Sequence, residues 1–539
     1  MDIKVKSQIK SKQRIIDYGE VFTPQHIVNA MLDLVKQETE RIDSHFLEPA
    51  CGTGNFLVAI LERKLMVVER HYSNNQSEYE HHAILAVSSI YGIDILKDNV
   101  EECRQRLFAV FDEAYTRLFG EKTQKQCRET VRYILKKNIV HGNTLAMETV
   151  GQNPQPIVFS EWSMVNGGLF KRKDFALHEL VSYGSVKEFS LFSYVNSKEL
   201  TTGFDVIISN PPYQSDDAGY GRSASPIYHH FINQAKRLNP RFIVMIIPSR
   251  WFAGGKGLDE FRKEMLNDER IRKLVDYTSS AGIFPSVNIA GGVCYFLWER
   301  DSRGPCEVTN FYNGQPVVSK RQLNEFPVFV RCSRAIPIIR KVLAKNENGG
   351  RRLSKVISPS NPFGILGHYT PKEKGIPCWF KQRIGFRFVD PKDVTDNNNL
   401  LNKWKLLIPR LPRTGDFSKP IAFYYEANTR IARPGECCTE SWLVACAFDT
   451  MEEVEAFKSY LFTKIVRFLL LQAVTSQHVK RKCFYFVPDL GKYEGIYTDE
   501  MLMERWGITK EEFEFIESKI RNAGNKKHAK EERVKECIE

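Results

Sequence analysis

The chain has 539 residues, of which 42% are hydrophobic, and 77 Lys and Arg face 65 Asp and Glu for a formal net charge of +12. That length is too great for one ordinary hydrophobic core and predicts two or three domains, while 35 Phe and 21 Tyr exclude a disordered chain. The basic balance predicts a polyanionic partner.

The first twelve residues are polar and basic, with no apolar core that would mark a secretion signal. No uninterrupted apolar stretch reaches membrane-spanning length. The 12 Cys are scattered without paired Cys-x-x-Cys spacing. They predict neither a metal site nor a disulfide framework, and they fit a cytoplasmic location.

From about residue 20 to 300, short apolar runs alternate with amphipathic stretches, which predicts a parallel sheet with crossover helices. Strands are expected at 45–47, 89–93, 138–141, 204–209, 242–248, 271–278 and 293–298. Helices are expected at 55–69, 96–119 and 226–238, the last with Ser225 as N-cap and Pro226 at the first helical position. Residues 150–200 interrupt the rhythm and read as an insertion. Gly, Ser and Asp dominate 214–225, which predicts a mobile loop. Beyond about 330 the alternation fades into a second domain, punctuated by Gly349-Gly350-Arg351-Arg352 and Asp396-Asn397-Asn398-Asn399. The charged end, 519–539, has a helical pattern and reads as a solvated face.

The most informative residues are Asn210, Pro211, Pro212 and Tyr213, placed directly after the buried-strand run Phe204-Asp205-Val206-Ile207-Ile208. Ligands bind at that end of strands in open α/β sheets. The prolines have no N–H, so nearby carbonyls keep their acceptor capacity. Asn210 adds a side-chain carbonyl and Tyr213 a flat ring, a set suited to a planar group bearing an amine. A proline-capped strand end is the alternative.

The second signal is Leu47-Glu48-Pro49-Ala50-Cys51-Gly52-Thr53-Gly54-Asn55-Phe56. A strand, a glycine turn and a helix in that order let backbone N–H groups approach a ligand closely. Asp94 ends the next strand, where an acid suits a ribose diol, or alternatively caps a helix. A Gly-x-Gly-x-x-Gly run is missing, which argues against a dinucleotide.

The order of these motifs resembles that of S-adenosylmethionine-dependent amino-methyltransferases of DNA, specifically the gamma-class adenine-N6 enzymes of restriction–modification systems. The resemblance implies a Rossmann-like α/β methyltransferase sheet over 1–315, with the insertion at 150–200, and a C-terminal α+β target recognition domain over 316–539. It implies S-adenosylmethionine as cofactor. Thr23, in Gly19-Glu20-Val21-Phe22-Thr23-Pro24, would hold the methionine end, with Glu48, Ala50, Gly52 and Gly54 in the cofactor loop. Asp94 would bind the ribose. Asn143, in His141-Gly142-Asn143-Thr144, falls where the family usually has Asp on the adenine amine.

Asn210 and the Pro211 carbonyl would bind the target amine. Tyr213 and Phe284 would sandwich a flipped base, Phe284 belonging to Phe284-Pro285-Ser286-Val287 and the following Gly291-Gly292-Val293. The implied reaction is methylation of adenine N6 in double-stranded DNA, and the implied partners are that DNA and a cognate restriction endonuclease. Basic and aromatic clusters at 379–383, 410–415 and 478–482 supply candidate DNA contacts, among them Arg410, Arg413, Lys480 and Arg481. Residues 484–488 and 498–500 look like the closing segment of related methylases. Only about twenty residues precede Thr23, so a stand-alone methylase is expected, with no nuclease domain ahead of it. An RNA or protein amine as acceptor, and a catalytically silent DNA-binding subunit of a larger defence complex, stay open as alternatives.

Overall fold

The structure, a computed structural model, describes residues 21–522 with Lys10 and Arg14, except 166–168, 184–202, 215–224, 256, 286, 288, 290, 313, 346, 382, 412–419 and 475–477. The chain divides into two compact units, Met1–Pro327 and Val328–Glu539.

Twelve strands are described in the first unit. They are β1 (Phe46–Glu48), β2 (Ile90–Asp94), β3 (Ile139–Asn143), β4 (Glu148–Thr149), β5 (Val158–Val165) and β6 (Leu169–Ala176). After them come β7 (Val206–Ser209), β8 (Phe242–Pro248), β9 (Ile271–Tyr277), β10 (Val293–Glu299), β11 (Cys306–Tyr312) and β12 (Gln315–Arg321). Ten of them form one sheet in the order β12-β11-β9-β10-β8-β7-β1-β2-β3-β4. β1 pairs in parallel with β2 on one side and β7 on the other, β2 with β3, and β7 with β8. The chain therefore runs outward in both directions from β1 and β7, and the switch point lies at their C-terminal ends. This is a Rossmann-like α/β architecture.

The helices that cover the β1–β3 half are α1 (Gln25–Asp33), α2 (Asn55–Tyr72), α3 (Gln76–Ser88), α4 (Lys97–Phe119) and α5 (Lys125–Asn138). Each turns an apolar stripe inward. Leu57, Ile60 and Leu61 of α2, Leu107 and Phe111 of α4, and Val131, Ile134 and Leu135 of α5 join one core, at the 3-to-4-residue spacing a buried helix face requires. α1, α3 and α5 were not among the helices expected from the sequence. The insertion holds the antiparallel hairpin β5–β6, outside the main sheet.

Two expectations are corrected. The sheet is mixed and not wholly parallel, because β10 pairs antiparallel with both β8 and β9. The chain turns back into β10 through Gly291 and Gly292, at φ of +90° and +81°. A Cβ on Gly292 would sit 1.9 Å from the Tyr277 carbonyl, so only glycine allows the two strand ends to meet this closely.

The second correction concerns α6 (Tyr228–Arg237), which starts after Ile227 and not at Pro226. Pro226 is instead paired with Gln214 in an isolated antiparallel bridge, and the Ile227 N–H bonds the Tyr213 carbonyl at 3.3 Å. The residues expected to open the helix are used to close the base of the loop that follows Tyr213.

The second unit carries two three-stranded sheets. One is β14 (Phe386–Val389), β13 (Ile376–Trp379) and β17 (Cys437–Cys438); the other is β16 (Arg430–Ala432), β15 (Trp404–Pro409) and β18 (Trp442–Phe448). Phe363, Cys378, Leu407, Trp442 and Val444 share a core between them, and the helices Met451–Phe462 and Lys464–Ala473 follow β18. Among the described residues no helix is long and apolar enough to cross a membrane.

Candidate functional site

A cavity of about 370 Å³ opens at the C-terminal ends of β1, β2, β3 and β7. Of the residues expected to hold a cofactor, Thr23, Glu48, Ala50, Gly52, Asp94 and Asn143 all line it, and so does Asn210. Gly54 stands one step behind as the N-cap of α2, at φ +86°. A Cβ there would lie 2.6 Å from the Cys103 sulfur, so the loop packs against α4 with room only for hydrogen.

Hydrogen bonds hold the loop in shape. The Asp94 carboxylate accepts from the Gly52 N–H at 2.8 Å, from the Leu96 N–H at 2.9 Å and from Asn99 Nδ2 at 3.2 Å. It therefore ties the glycine turn to the start of α4, and a diol bound there would share its oxygens with these partners. Arg106 Nη1 donates to the Thr53 carbonyl at 2.6 Å and to Asn55 Oδ1 at 2.8 Å, and Asn55 Nδ2 reaches the Thr23 carbonyl at 3.1 Å. The sequence reading missed Arg106 and Asn55. Asn55 had a signal, since it directly follows the glycine turn; Arg106 had none, because the contact is made across two helices.

Glu48 is buried, and its Oε2 has no hydrogen-bond partner. Burial, with Cys103 and Asp94 adding to it, holds its carboxyl well above the usual carboxylate range. Asn143 Oδ1 accepts from the backbone N–H groups of Leu145 at 3.0 Å and Ala146 at 3.2 Å.

At the end of β7, Asn210 Nδ2 donates to the Val21 carbonyl at 3.0 Å. Its Oδ1 is buried with no partner. Buried acceptors without a partner are rare and call for a cause. Pro212 and Gln214 line the cavity beside it, whereas Pro211 is buried and neither it nor Tyr213 is part of the lining. The Tyr213 hydroxyl is likewise buried without a partner, and burial raises its pKa.

Phe284 departs from expectation. It is fully buried in the hydrophobic core of the first unit and does not line the cavity, and it makes no ring contact with Tyr213 among the described residues. Its apolar ring gains more from the core than from an open wall, so in this arrangement it packs and does not face Tyr213 across a space for a base.

In the second unit, Arg410 Nη1 donates to the Glu440 carbonyl at 2.9 Å. The Val479 N–H bonds the Arg410 carbonyl at 2.8 Å, which brings the exposed Lys480 and Arg481 beside the end of β15. Two basic segments far apart in sequence are thus neighbours. Trp379 packs 4.8 Å from Phe386, with the Arg430 guanidinium 5.8 Å from its ring. Arg413, Gly19, Glu20, Ser286, residues 215–224 of the expected loop and 523–539 of the expected charged end lie outside the described residues.

Residues 88–284 match the family model described as Eco57I restriction-modification methylase, and residues 10–105 match that of N-6 DNA Methylase. An "uncharacterized adenine-specific methylase" of Mycoplasma pneumoniae is 36% identical over 104 residues, 19% of this chain and 25% of that protein. The type II restriction enzyme and methyltransferase RM.Eco57I of Escherichia coli is 23% identical over 311 residues, covering 50% of this chain and 27% of its own. The chain spans about a quarter of the length of these curated relatives. Among solved structures, the type IIL restriction-modification enzyme MmeI in complex with DNA aligns at a TM-score of 0.44 and 12% identity, over 88% of this chain and 69% of that one. The type IIG restriction endonuclease BpuSI aligns at 0.37 and 13% identity, over 90% and 60%.

Proposed function

We propose, from the premise that residues 10–284 form an N6-adenine methylase domain of the restriction–modification type, that the chain methylates adenine N6 in duplex DNA. The observation that carries this reading is the buried, unpartnered Oδ1 of Asn210, held toward acceptance by the Nδ2 bond to Val21.

The cavity residues fit S-adenosylmethionine. Glu48 presents an orphaned buried acceptor for an ammonium, Asp94 an acid for the ribose, and the glycine turn leaves no room for a side chain at Gly54. Thr23, Ala50 and Gly52 complete the wall. When bound, this cofactor supplies an electrophilic methyl group and leaves as a neutral thioether.

Every other task falls to the chain. An exocyclic adenine amine is a weak nucleophile because its lone pair is delocalised into the ring. Asn210 Oδ1 and the Pro211 carbonyl accept its two N–H groups, which draws the lone pair out of conjugation and aligns it. That is preorganised electrostatics with orientation; no general base is required before transfer, and the proton that the methylated, positively charged amine then sheds passes to solvent. The amine cannot be reached inside a duplex, so the base is flipped out, with the Tyr213 ring as its stacking surface. The second unit reads sequence as the target recognition domain, and Arg410, Lys480 and Arg481 contact phosphates near the base-reading surface. A cognate restriction endonuclease completes the system.

The test uses the whole chain with labelled S-adenosylmethionine and genomic DNA, mapping modified bases by single-molecule sequencing. N6-methyladenine in one defined motif is the expected result. Asn210→Ala should lower transfer by about 100-fold or more and leave S-adenosyl-L-homocysteine binding nearly unchanged. Substantial residual transfer would remove Asn210 from the mechanism, and labelling of RNA or protein in place of DNA would overturn the substrate.

A further inference from the structure

Four asparagines line the cavity, Asn55, Asn99, Asn143 and Asn210, and the protein engages them differently. Asn55 is satisfied at both ends, accepting from Arg106 and donating to the Thr23 carbonyl. So is Asn99, which accepts from Lys10 and donates to Asp94. The other two are engaged at one end only, and with opposite polarity. Asn210 spends its donor on Val21 and keeps an unpartnered oxygen. Asn143 spends its oxygen on two backbone N–H groups, those of Leu145 and Ala146.

Two N–H donors can be met only by an oxygen, so the orientation of the Asn143 amide is set by its partners. Its Nδ2 has no hydrogen-bond partner among the described residues and is not buried. What Asn143 has left for a ligand is a pair of donors. It ends β3, and β3 pairs with β2 in the register that sets Asp94 against His141. The ribose acid and this amide therefore occupy adjacent strand ends.

We propose that Asn143 reads the cofactor's purine as a hydrogen-bond donor, so that the site accepts 6-oxo and 6-N-alkyl purine forms of the cofactor as well as the 6-amino form. This rests on the cavity being the S-adenosylmethionine site. The 6-amino purine offers donors at its amine and an acceptor at ring N1. The 6-oxo purine reverses both, with an acceptor at O6 and a donor at N1. An acceptor side chain would bind the first amine and oppose the second oxygen. The Asn143 donors meet N1 in one and O6 in the other, and alkylation of the amine leaves N1 in place.

The experiment is isothermal titration calorimetry of the full chain with S-adenosyl-L-homocysteine and S-inosyl-L-homocysteine, on the wild type and on Asn143→Asp. The carboxylate keeps acceptors for Leu145 and Ala146 but removes the donors. The wild type should bind the two ligands within about tenfold of each other, and Asn143→Asp should widen the ratio to about 100-fold or more. A wild-type preference of about 100-fold for the adenosyl ligand, or a ratio that Asn143→Asp leaves unchanged, overturns the proposal. If Asn143→Asp does not fold, the wild-type ratio decides by itself. Failure of S-adenosyl-L-homocysteine to bind at all would instead overturn the reading of the cavity, and this inference with it.

Discussion

Lys64 shows how one residue links the fold to solution conditions. It is fully buried in α2, and its ammonium donates to the Ile42 carbonyl at 3.1 Å, the Ser44 carbonyl at 2.5 Å and Ser89 Oγ at 2.5 Å. Ser44 and Ser89 precede β1 and β2, so Lys64 ties the sheet at the end opposite the cavity. Burial lowers its pKa to about 7, against the upward pull of Asp43 and Asp205. Below that pH the folded and unfolded states are both protonated, and folding bears the full cost of a buried charge. As pH rises above 7, the folded state releases its proton while the unfolded chain holds its own up to about 10.5, so stability climbs by at most about 1.4 kcal/mol per pH unit. Urea denaturation across pH 6 to 9 should therefore show the stability of the wild type rising relative to Lys64→Met. A difference that stays flat would mean that the lysine titrates outside this window.

At the scale of elements, α4 does more for the site than any motif in it. Asn99, Cys103 and Arg106 follow one another at the 4-then-3 spacing that aligns side chains on one helix face. That face supports the cofactor loop at three points: Asn99 on Asp94, Cys103 against Gly54, and Arg106 on Thr53 and Asn55. Removing Arg106 frees the Thr53 carbonyl and, through Asn55, the Thr23 wall. Arg106→Ala should weaken S-adenosyl-L-homocysteine binding by about tenfold, because the hydrogen bonds it removes shape the loop and do not touch the ligand, as measured by calorimetry. Unchanged affinity would show that the loop holds its shape without α4.

For the molecule as a whole, the net charge of +12 gains meaning from where the basic residues fall. Arg410, Lys480 and Arg481 come together in the second unit through one backbone bond between residues 479 and 410. If they contact phosphates, the double variant Lys480→Ala/Arg481→Ala should reduce the slope of log affinity for DNA against log salt by about two. The rate at saturating DNA should be unaffected, because neither residue has a part in the transfer step proposed above. A fluorescence-anisotropy titration at several salt concentrations measures the slope, and an unchanged slope would place the DNA elsewhere.

Much of this was legible in the sequence. The strand at 242–248 was read at its observed bounds, because a strand buried on both faces is a run of aliphatic residues and that is a local property. The loop at 48–54 and the motif at 210–213 were legible for the same reason: each sits beside the strand that delivers it. By itself, then, the sequence determined seven strands of the first unit, though not β4, β5, β6, β11 or β12, and which residue types arrive at their ends. Tertiary structure decided the rest. The antiparallel insertion of β10, the burial of Phe284, the support given by Arg106 and the opposite polarities of Asn143 and Asn210 all depend on partners distant in the chain. Residue order constrains neighbours along the backbone through sterics and periodicity. Hydrogen-bond polarity and burial are settled only when the sheet and helices close on one another.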